Sequence, residues 1–208
     1  MCYLVLIFRG FSPLEKRNKI KITLYEQAFN YIFFILIALS AQAYAPKIIY
    51  KVSGGSISFR SDAPLELIKA NSNELVGLID AEKKAFAFKI KLNTFQGFNN
   101  PFQKDHFNEN YVESNKYPYA IFEGKIIEDI DFSKDGNYNV RTKGNLTIHG
   151  IIQERIIKCE VNIKNNKINI KSNFTVLLAD HNITIPKVVH EKLASEIKVE
   201  VKANLIVK

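Results

Sequence analysis

The side chains that could carry out acid-base chemistry in this chain are histidines with acidic neighbours. Asp105 precedes His106 and Asp180 precedes His181, and such pairs could act as general bases if the fold brought them together. Successive residues of a strand point to opposite faces, however, and no serine stands in the glycine-flanked turn that exposes a nucleophile. A barrel hydrolase that uses Asp105 or Asp180 with the neighbouring histidine is therefore the weakest of three functional hypotheses.

The histidines and cysteines do not form a metal-binding pattern. The histidines are His106, His149, His181 and His190. No two of them have the short spacing of zinc ligands, and no cysteine pair supports them. His149 precedes Gly150 in a predicted tight turn, where a solvated histidine is expected. Cys159 lies on the apolar face of a predicted strand, as a small buried hydrophobic side chain would. We predict no catalytic residue, no metal and no cofactor.

Alternating apolar and polar residues predict β-strands through most of the chain. Between Tyr138 and Phe174 the apolar residues recur at every second position, which is the period of a strand with one buried face. His149-Gly150 and Asn165-Asn166 interrupt the alternation with residues that favour tight turns. The pattern predicts three successive antiparallel strands that share one apolar face.

The rest of the chain is also predicted to be mainly strand. Further strands are expected at 48–52, 56–60, 65–70, 75–80, 86–92, 120–126 and 197–207, and those at 65–70 and 75–80 are expected to pair across the polar turn at 71–73. Ser53-Gly54-Gly55 predicts a hairpin break, Asn100-Pro101 predicts a helix start inside a long aromatic loop at 95–117, and a second helical turn is expected near Val188. Eight to ten strands with so little helix predict an all-β fold, either an antiparallel barrel or a sandwich.

Aromatic residues on the inner face of a closed sheet would line its bore. We expect the bore to be lined by Phe86, Phe88, Phe122, Tyr138 and Phe174, with Phe107 and Tyr111 as a lid. About eight strands can enclose one small ligand, and a bore that its own side chains leave empty binds an apolar tail. A core packed solid by the same rings would instead indicate a ligand-free structural or interaction module of the cell envelope.

Residues 1–43 are predicted to be an N-terminal extension and a secretory signal peptide, followed by one domain at 44–208. Basic residues precede the apolar run at 31–39, and small residues follow it. Cleavage is expected after Ala43, because a cut after Ala45 would place Pro46 first. The run is shorter than the ~20 residues of a membrane-spanning helix, which disfavours an anchor. The mature protein is expected in the periplasm or the medium, in transient contact with a membrane.

The basic composition does not favour a nucleic-acid partner. The net charge is +8, but lysines such as Lys89, Lys158 and Lys198 stand singly on predicted outer strand faces and are not clustered with aromatic residues. The sequence leaves the oligomeric state open.

Four segments together resemble the YceI-like family. They are His106-Phe107, Lys116-Tyr117-Pro118, the segment 120–124 and the segment 144–150, and the resemblance extends from about Tyr50 to Leu205. This resemblance implies an extended lipocalin-like antiparallel β-barrel in the periplasm of Gram-negative bacteria. It also implies an elongated apolar cavity that takes a polyisoprenoid or a similar amphiphilic lipid.

Overall fold

The computed structural model describes residues 47–208, which form nine β-strands and one short α-helix. In chain order the strands are β1 Ile49–Asp62, β2 Leu67–Ser72, β3 Val76–Asp80, β4 Ala85–Lys91, β5 Tyr119–Ile126, β6 Gly136–Ile148, β7 Ile151–Lys164, β8 Lys167–Leu177 and β9 Glu196–Val207. The helix α1 is Pro101–His106, a π-helical turn Phe107–Tyr111 follows it, and 3-10 turns lie at Leu92–Thr94, Leu178–His181 and Lys187–Val189. The predicted signal peptide and its cleavage after Ala43 lie outside the described residues.

The strands close into an antiparallel barrel. From β3 to β9 each strand pairs with the next, and β9 returns to β1, where the pairs run from Tyr50 with Val207 to Ser61 with Ile197. The first residues of β1 pair with β3, so eight strands complete the ring, while β2 extends it along the second half of β1. The predicted all-β barrel of about eight strands with one or two short helices is confirmed.

The predicted hairpin in the middle of the chain forms the longest ladder. The pairing of β6 with β7 runs from Gly136 and Ile163 to Ile148 and Ile151. The connecting residues, His149 and Gly150, have φ angles of 52° and 73°. A two-residue hairpin turn of this hand needs positive φ at both positions, which explains the glycine.

The predicted hairpin break at Ser53-Gly54-Gly55 is wrong, because β1 runs straight through it. A bulge between Val52 and Gly54 is the irregularity there, and pairing with β9 continues on both sides. A Cβ atom on Gly55 would lie 3.0 Å from the Leu75 Cδ2 atom, so glycine here allows close approach of a side chain. Strands β2 and β3, predicted as neighbours, both pair with β1 and not with each other.

Helix α1 begins where the sequence predicts. The side-chain oxygen of Asn100 accepts a hydrogen bond from the backbone N–H of Gln103 at 2.9 Å, and Pro101 occupies the first helical position. The helical turn expected near Val188 is a single 3-10 turn. In the part of the chain that the structure describes, no helix is both long enough and apolar enough to cross a membrane.

The two ends of the barrel differ. The closed end carries the β3–β4 and β7–β8 turns and the β5–β6 loop, and it is filled by side chains such as Tyr50, Ile168 and Leu205, which are at most 2% exposed. The open end carries the β1–β2 and β6–β7 turns and the long β4–β5 and β8–β9 connections. The most completely buried hydrophobic side chains therefore lie at the closed end, while the core cluster continues to Leu92 and Phe95 near the open end.

Candidate ligand-binding cavity

An apolar cavity of about 400 Å³ lies inside the barrel and reaches the open end. Inward-facing residues of β1 and β3 to β9 form its wall. The volume is within the range of about 300–1,000 Å³ that is typical of small-molecule sites. Ile170 and Leu178 both line the cavity, and between them the chain advances about 20 Å along the axis, given the usual strand rise and tilt. The cavity is therefore elongated.

Four of the predicted aromatic residues line this cavity from the barrel strands. Phe86 and Phe88 belong to β4, Phe122 to β5 and Phe174 to β8. The ring centroid of Phe86 lies 4.9 Å from that of Phe122 and 6.0 Å from that of Phe88. One side of the cavity is thus a continuous aromatic surface.

The two predicted lid residues, Phe107 and Tyr111, line the cavity from the β4–β5 connection. Phe107 stacks on Phe59 of β1, with centroids 5.3 Å apart and 23° between the ring planes. Phe98 lies 5.3 Å and Phe95 lies 5.8 Å from the Phe107 ring. Ring packing therefore holds this segment against β1. Burial raises the pKa of the Tyr111 hydroxyl, which stays neutral at physiological pH.

Tyr138 does not line the cavity, unlike the other six predicted site residues. Its hydroxyl donates a hydrogen bond to the Lys134 carbonyl oxygen at 3.2 Å. Its ring lies where a side chain on Gly136 would stand, 3.1 Å from the position of a Cβ atom. The absence of a side chain on Gly136 lets the ring turn toward the closed end, which the alternation of residues could not reveal.

Two paired glycines help to leave the bore empty. Gly124 of β5 and Gly144 of β6 are direct partners, in the inward-facing rows of Phe122 and Leu146. A Cβ atom on either glycine would overlap the backbone of the opposite strand. Close strand approach therefore requires glycine at both positions. Since neither residue contributes a side chain, less side-chain volume occupies this part of the interior.

The polar atoms in the wall are directed at the strands. The Thr142 hydroxyl donates to the Ile157 carbonyl oxygen at 3.0 Å, and the Ser172 hydroxyl donates to the Lys158 carbonyl oxygen at 2.7 Å. Cys159 also lines the cavity, as a mostly apolar side chain, and burial raises the pKa of its thiol. Because the Thr142 and Ser172 hydroxyls are already bonded to backbone, this part of the wall suits hydrocarbon better than a polar guest.

Polar side chains gather at the entrance of the cavity. The set comprises Glu66, Gln103, His106 and Lys192. The Gln103 amide donates to the Glu66 carboxylate, which joins α1 to the β1–β2 turn. An amphiphile with its tail inside would place its polar head among these groups. These groups come from separate segments with no shared motif, so no pattern in the sequence marks them as binding residues.

His149 is not the solvated turn residue that the sequence suggested. Its Nε2 atom lies 2.5 Å from the Glu113 Oε2 atom, and its Nδ1 atom lies 3.0 Å from the His181 carbonyl oxygen. The Tyr117 ring meets the imidazole edge to face at 5.0 Å. His149 thus joins three connections of the open end. Its partners are 36 and 32 residues away, so no local pattern could identify them.

Three members of the two Asp–His pairs, Asp180, His181 and His106, take part in separate contacts. Asp180 lies 3.6 Å from the Arg155 guanidinium. The His181 ring is buried, with Nδ1 3.2 Å from the Ile151 carbonyl oxygen, and burial lowers its pKa. His106 packs against the Phe102 ring at 6.0 Å. Within residues 47–208, no group of three or more histidines, cysteines or carboxylates could hold a metal ion.

Comparison with known proteins gives one family and a set of similar structures. The YceI-like domain matches residues 54–205. A search of curated proteins gave no match. A polyisoprenoid binding domain from Saccharophagus degradans, implicated in plant cell wall breakdown, is 14% identical with a TM-score of 0.66, and the alignment covers 78% of this chain and all of that one.

Two further solved structures have the same fold. BcnA of Burkholderia cenocepacia is 16% identical with a TM-score of 0.59, over 72% of this chain and 95% of that one. The YCEI protein of Campylobacter jejuni is 18% identical with a TM-score of 0.53, over 67% of this chain and 84% of that one. At these identities the likeness establishes the fold and nothing more.

Proposed function

This chain belongs to the YceI-like family, and on that premise we propose that it is an exported binding protein that carries or sequesters a polyisoprenoid or a similar amphiphilic lipid. The observation that carries the proposal is the elongated apolar cavity of about 400 Å³. The similar domain from Saccharophagus degradans is described as polyisoprenoid binding, which supports the same class of ligand here.

The energetics of the cavity favour a hydrocarbon tail. Each methylene that moves from water into an apolar site contributes about 0.8 kcal/mol, so ten methylenes contribute roughly 8 kcal/mol before the cost of ordering the chain. The hydroxyls of Thr142 and Ser172 are bonded to backbone carbonyls and are not free to bind a polar guest. A lipid tail can therefore bind without a directed hydrogen bond.

The proposed tail-binding side chains are the six predicted aromatic residues that line the cavity: Phe86, Phe88, Phe107, Tyr111, Phe122 and Phe174. Tyr138 is left out of this set because its hydroxyl bonds to the β5–β6 loop at the closed end. The hollow interior favours a carrier over a ligand-free envelope module, since such a module would be packed solid. The separate contacts of Asp180 and His181 favour a binding protein over a hydrolase.

Export and membrane contact are further parts of this proposal. The basic and apolar pattern of residues 1–43 supports export to the periplasm. At the open end, Leu65, Phe102 and Val188 are 67%, 75% and 89% exposed. Their segments adjoin, because the Leu65 N–H donates to the Glu191 carbonyl oxygen at 2.8 Å and Gln103 bonds to Glu66. Exposed apolar tips around the entrance suit a protein that takes lipid from a membrane.

Two phenylalanine substitutions test the binding function. Ala120 lines the cavity on β5, whereas Ala87 is exposed on the neighbouring strand β4. The protein is purified from its own cells and extracted with organic solvent, and mass spectrometry measures the lipid in the extract. The Ala120→Phe variant should carry at most about one tenth of the wild-type amount of lipid. The matched Ala87→Phe variant should retain it. Repeated recovery of no apolar molecule from the wild-type protein would overturn the proposal, as would equal recovery from both variants.

The compartment is tested separately. Sequencing of the N-terminus of protein from the periplasmic fraction should begin at Tyr44, and recovery of the intact chain from the cytoplasm alone would contradict export.

A further inference from the structure

The interior changes from solid to hollow between two consecutive layers of inward-facing side chains. In strand register, Ile163 of β7 faces Ile168 of β8, which faces Leu205 of β9. These three are at most 2% exposed and do not line the cavity. In the next inward-facing layer toward the open end, Val161 faces Ile170 and Ile170 faces Ala203, and all three residues line the cavity.

The β5–β6 loop supplies the floor at this level. Phe132 is 5% exposed and lines the cavity, although it belongs to a loop at the closed end. Its ring lies 5.9 Å from that of Tyr50, and the Tyr50 hydroxyl donates to the Phe132 carbonyl oxygen at 3.3 Å. Next to it, the Asp131 carboxylate accepts hydrogen bonds from the Ser133 N–H at 3.0 Å and the Ser133 hydroxyl at 2.6 Å, which orders the loop.

Ile130 is in the same loop and provides a comparison. It is buried to the same extent as Phe132 and belongs to the same core cluster. It does not line the cavity. Of these two side chains, only Phe132 would contact a molecule inside the barrel, so only the Phe132 ring is placed to limit the depth of the cavity.

We propose that Phe132 and the Ala203 layer set the depth of the cavity and thereby determine the longest tail that fits inside it. This inference rests on the proposed function, because it requires that the cavity hold an apolar tail. Each methylene that is enclosed contributes about 0.8 kcal/mol, or roughly fourfold in affinity. Once the tail reaches the floor, added length stays in water at the entrance and contributes nothing, so affinity stops rising at a defined chain length.

The test measures affinity against chain length with defined probes. Delipidated protein is titrated with linear isoprenoid alcohols that lengthen by one isoprene unit at a time, from geraniol through farnesol, geranylgeraniol and geranylfarnesol, with solanesol as the long limit, and binding is followed by native mass spectrometry. Phe132→Ala should move the length at which affinity levels off up by about one isoprene unit. Ala203→Leu adds side-chain volume at the floor, whereas Phe132→Ala removes it, so Ala203→Leu should lower the chain length at which affinity levels off. Ile130→Ala should lower stability and leave the levelling length unchanged.

The outcomes separate this inference from the proposed function. If wild-type protein binds none of the alcohols, the lipid-binding function fails. If it binds them but Phe132→Ala and Ala203→Leu keep the wild-type levelling length, the floor assignment is overturned and lipid binding stands. A shift in Ile130→Ala as large as that in Phe132→Ala also overturns it. Should Phe132→Ala fail to fold, Ala203→Leu decides, because Ala203 lines the cavity and the substitution adds volume at the same level.

Discussion

Replacing Leu205 or Leu146 by alanine removes the same atoms from a solid and from a hollow part of the barrel. Leu205 of β9 is 0% exposed and faces Ile168 and Val52 on its two neighbouring strands. Leu146 of β6 is 5% exposed and lines the cavity. The two leucines are almost equally shielded from water, so a difference between the variants reports on packing.

The expected losses of unfolding free energy differ by about a factor of two. In a filled core, leucine to alanine costs the transfer free energy of the lost atoms plus a term for the new cavity, and the sum reaches roughly 3–5 kcal/mol. We expect about 4 kcal/mol for Leu205→Ala. At Leu146 the space already exists, so mainly the transfer part, about 2 kcal/mol, is lost. For a domain of this size, a 2 kcal/mol difference corresponds to roughly 4–8 °C in Tm.

Urea unfolding of the delipidated variants, followed by circular dichroism, measures both losses, provided that the slope with denaturant is unchanged. Leu205→Ala should unfold at the lower urea concentration. Equal losses, or a larger loss for Leu146→Ala, would mean that the interior at β6 is packed solid in solution. The reasoning that a lipid tail has room in the barrel would then be refuted.

Two further predictions concern buried titratable groups. Burial lowers the pKa of His181 in the folded protein. Below about pH 6.5, the ordinary pKa of histidine, His181 therefore binds a proton in the unfolded chain but not in the folded chain. The stabilisation is therefore complete above that value and declines as the pH falls from it toward the folded-state pKa. Thermal unfolding from about pH 8 to 5 should show the decline, and His181→Gln should flatten it; equal slopes would exclude His181 as the cause. Burial raises the pKa of the Cys159 thiol, so iodoacetamide at about pH 8 should alkylate it at least tenfold faster in unfolded than in folded protein, as measured by peptide mapping, and equal rates would contradict its place in the wall.

The alternation of residues predicted the strands well where one face is buried and the turn residues are distinctive. The β6–β7 hairpin is the clearest case, since His149-Gly150 marks its turn and Val140 and Leu146 mark its inner face. The same reasoning failed at Gly54-Gly55. Glycine in a strand can signal a turn, a bulge or a close contact, and the contact with Leu75 forms only after folding.

The candidate site was predictable in part for a similar reason. Strand parity placed Phe86, Phe88 and Phe122 toward the interior, and the structure places them in the cavity wall. Strand parity shows on which face of the sheet a side chain lies, but it does not show how far the cavity extends along the barrel axis. Phe132 stands in an acidic loop, between Asp131 and Ser133, and its role depends on how that loop folds back into the barrel. The entrance groups come from separate segments, and only the closed topology brings them together.

A hollow interior is compatible with a stable fold here because the barrel closes through its backbone. The pairing of β9 with β1 joins the two ends of the sheet whatever fills the bore, and the packed layer around Leu205 fixes it at one end. At the other end, the contacts of His149 with Glu113 and with the His181 carbonyl connect the β6–β7 turn to the β4–β5 and β8–β9 connections. Side-chain volume near the entrance is therefore free to change with little effect on the fold. The width of the cavity near the entrance can vary through residues such as Ala120, while the closed end holds the strands in register.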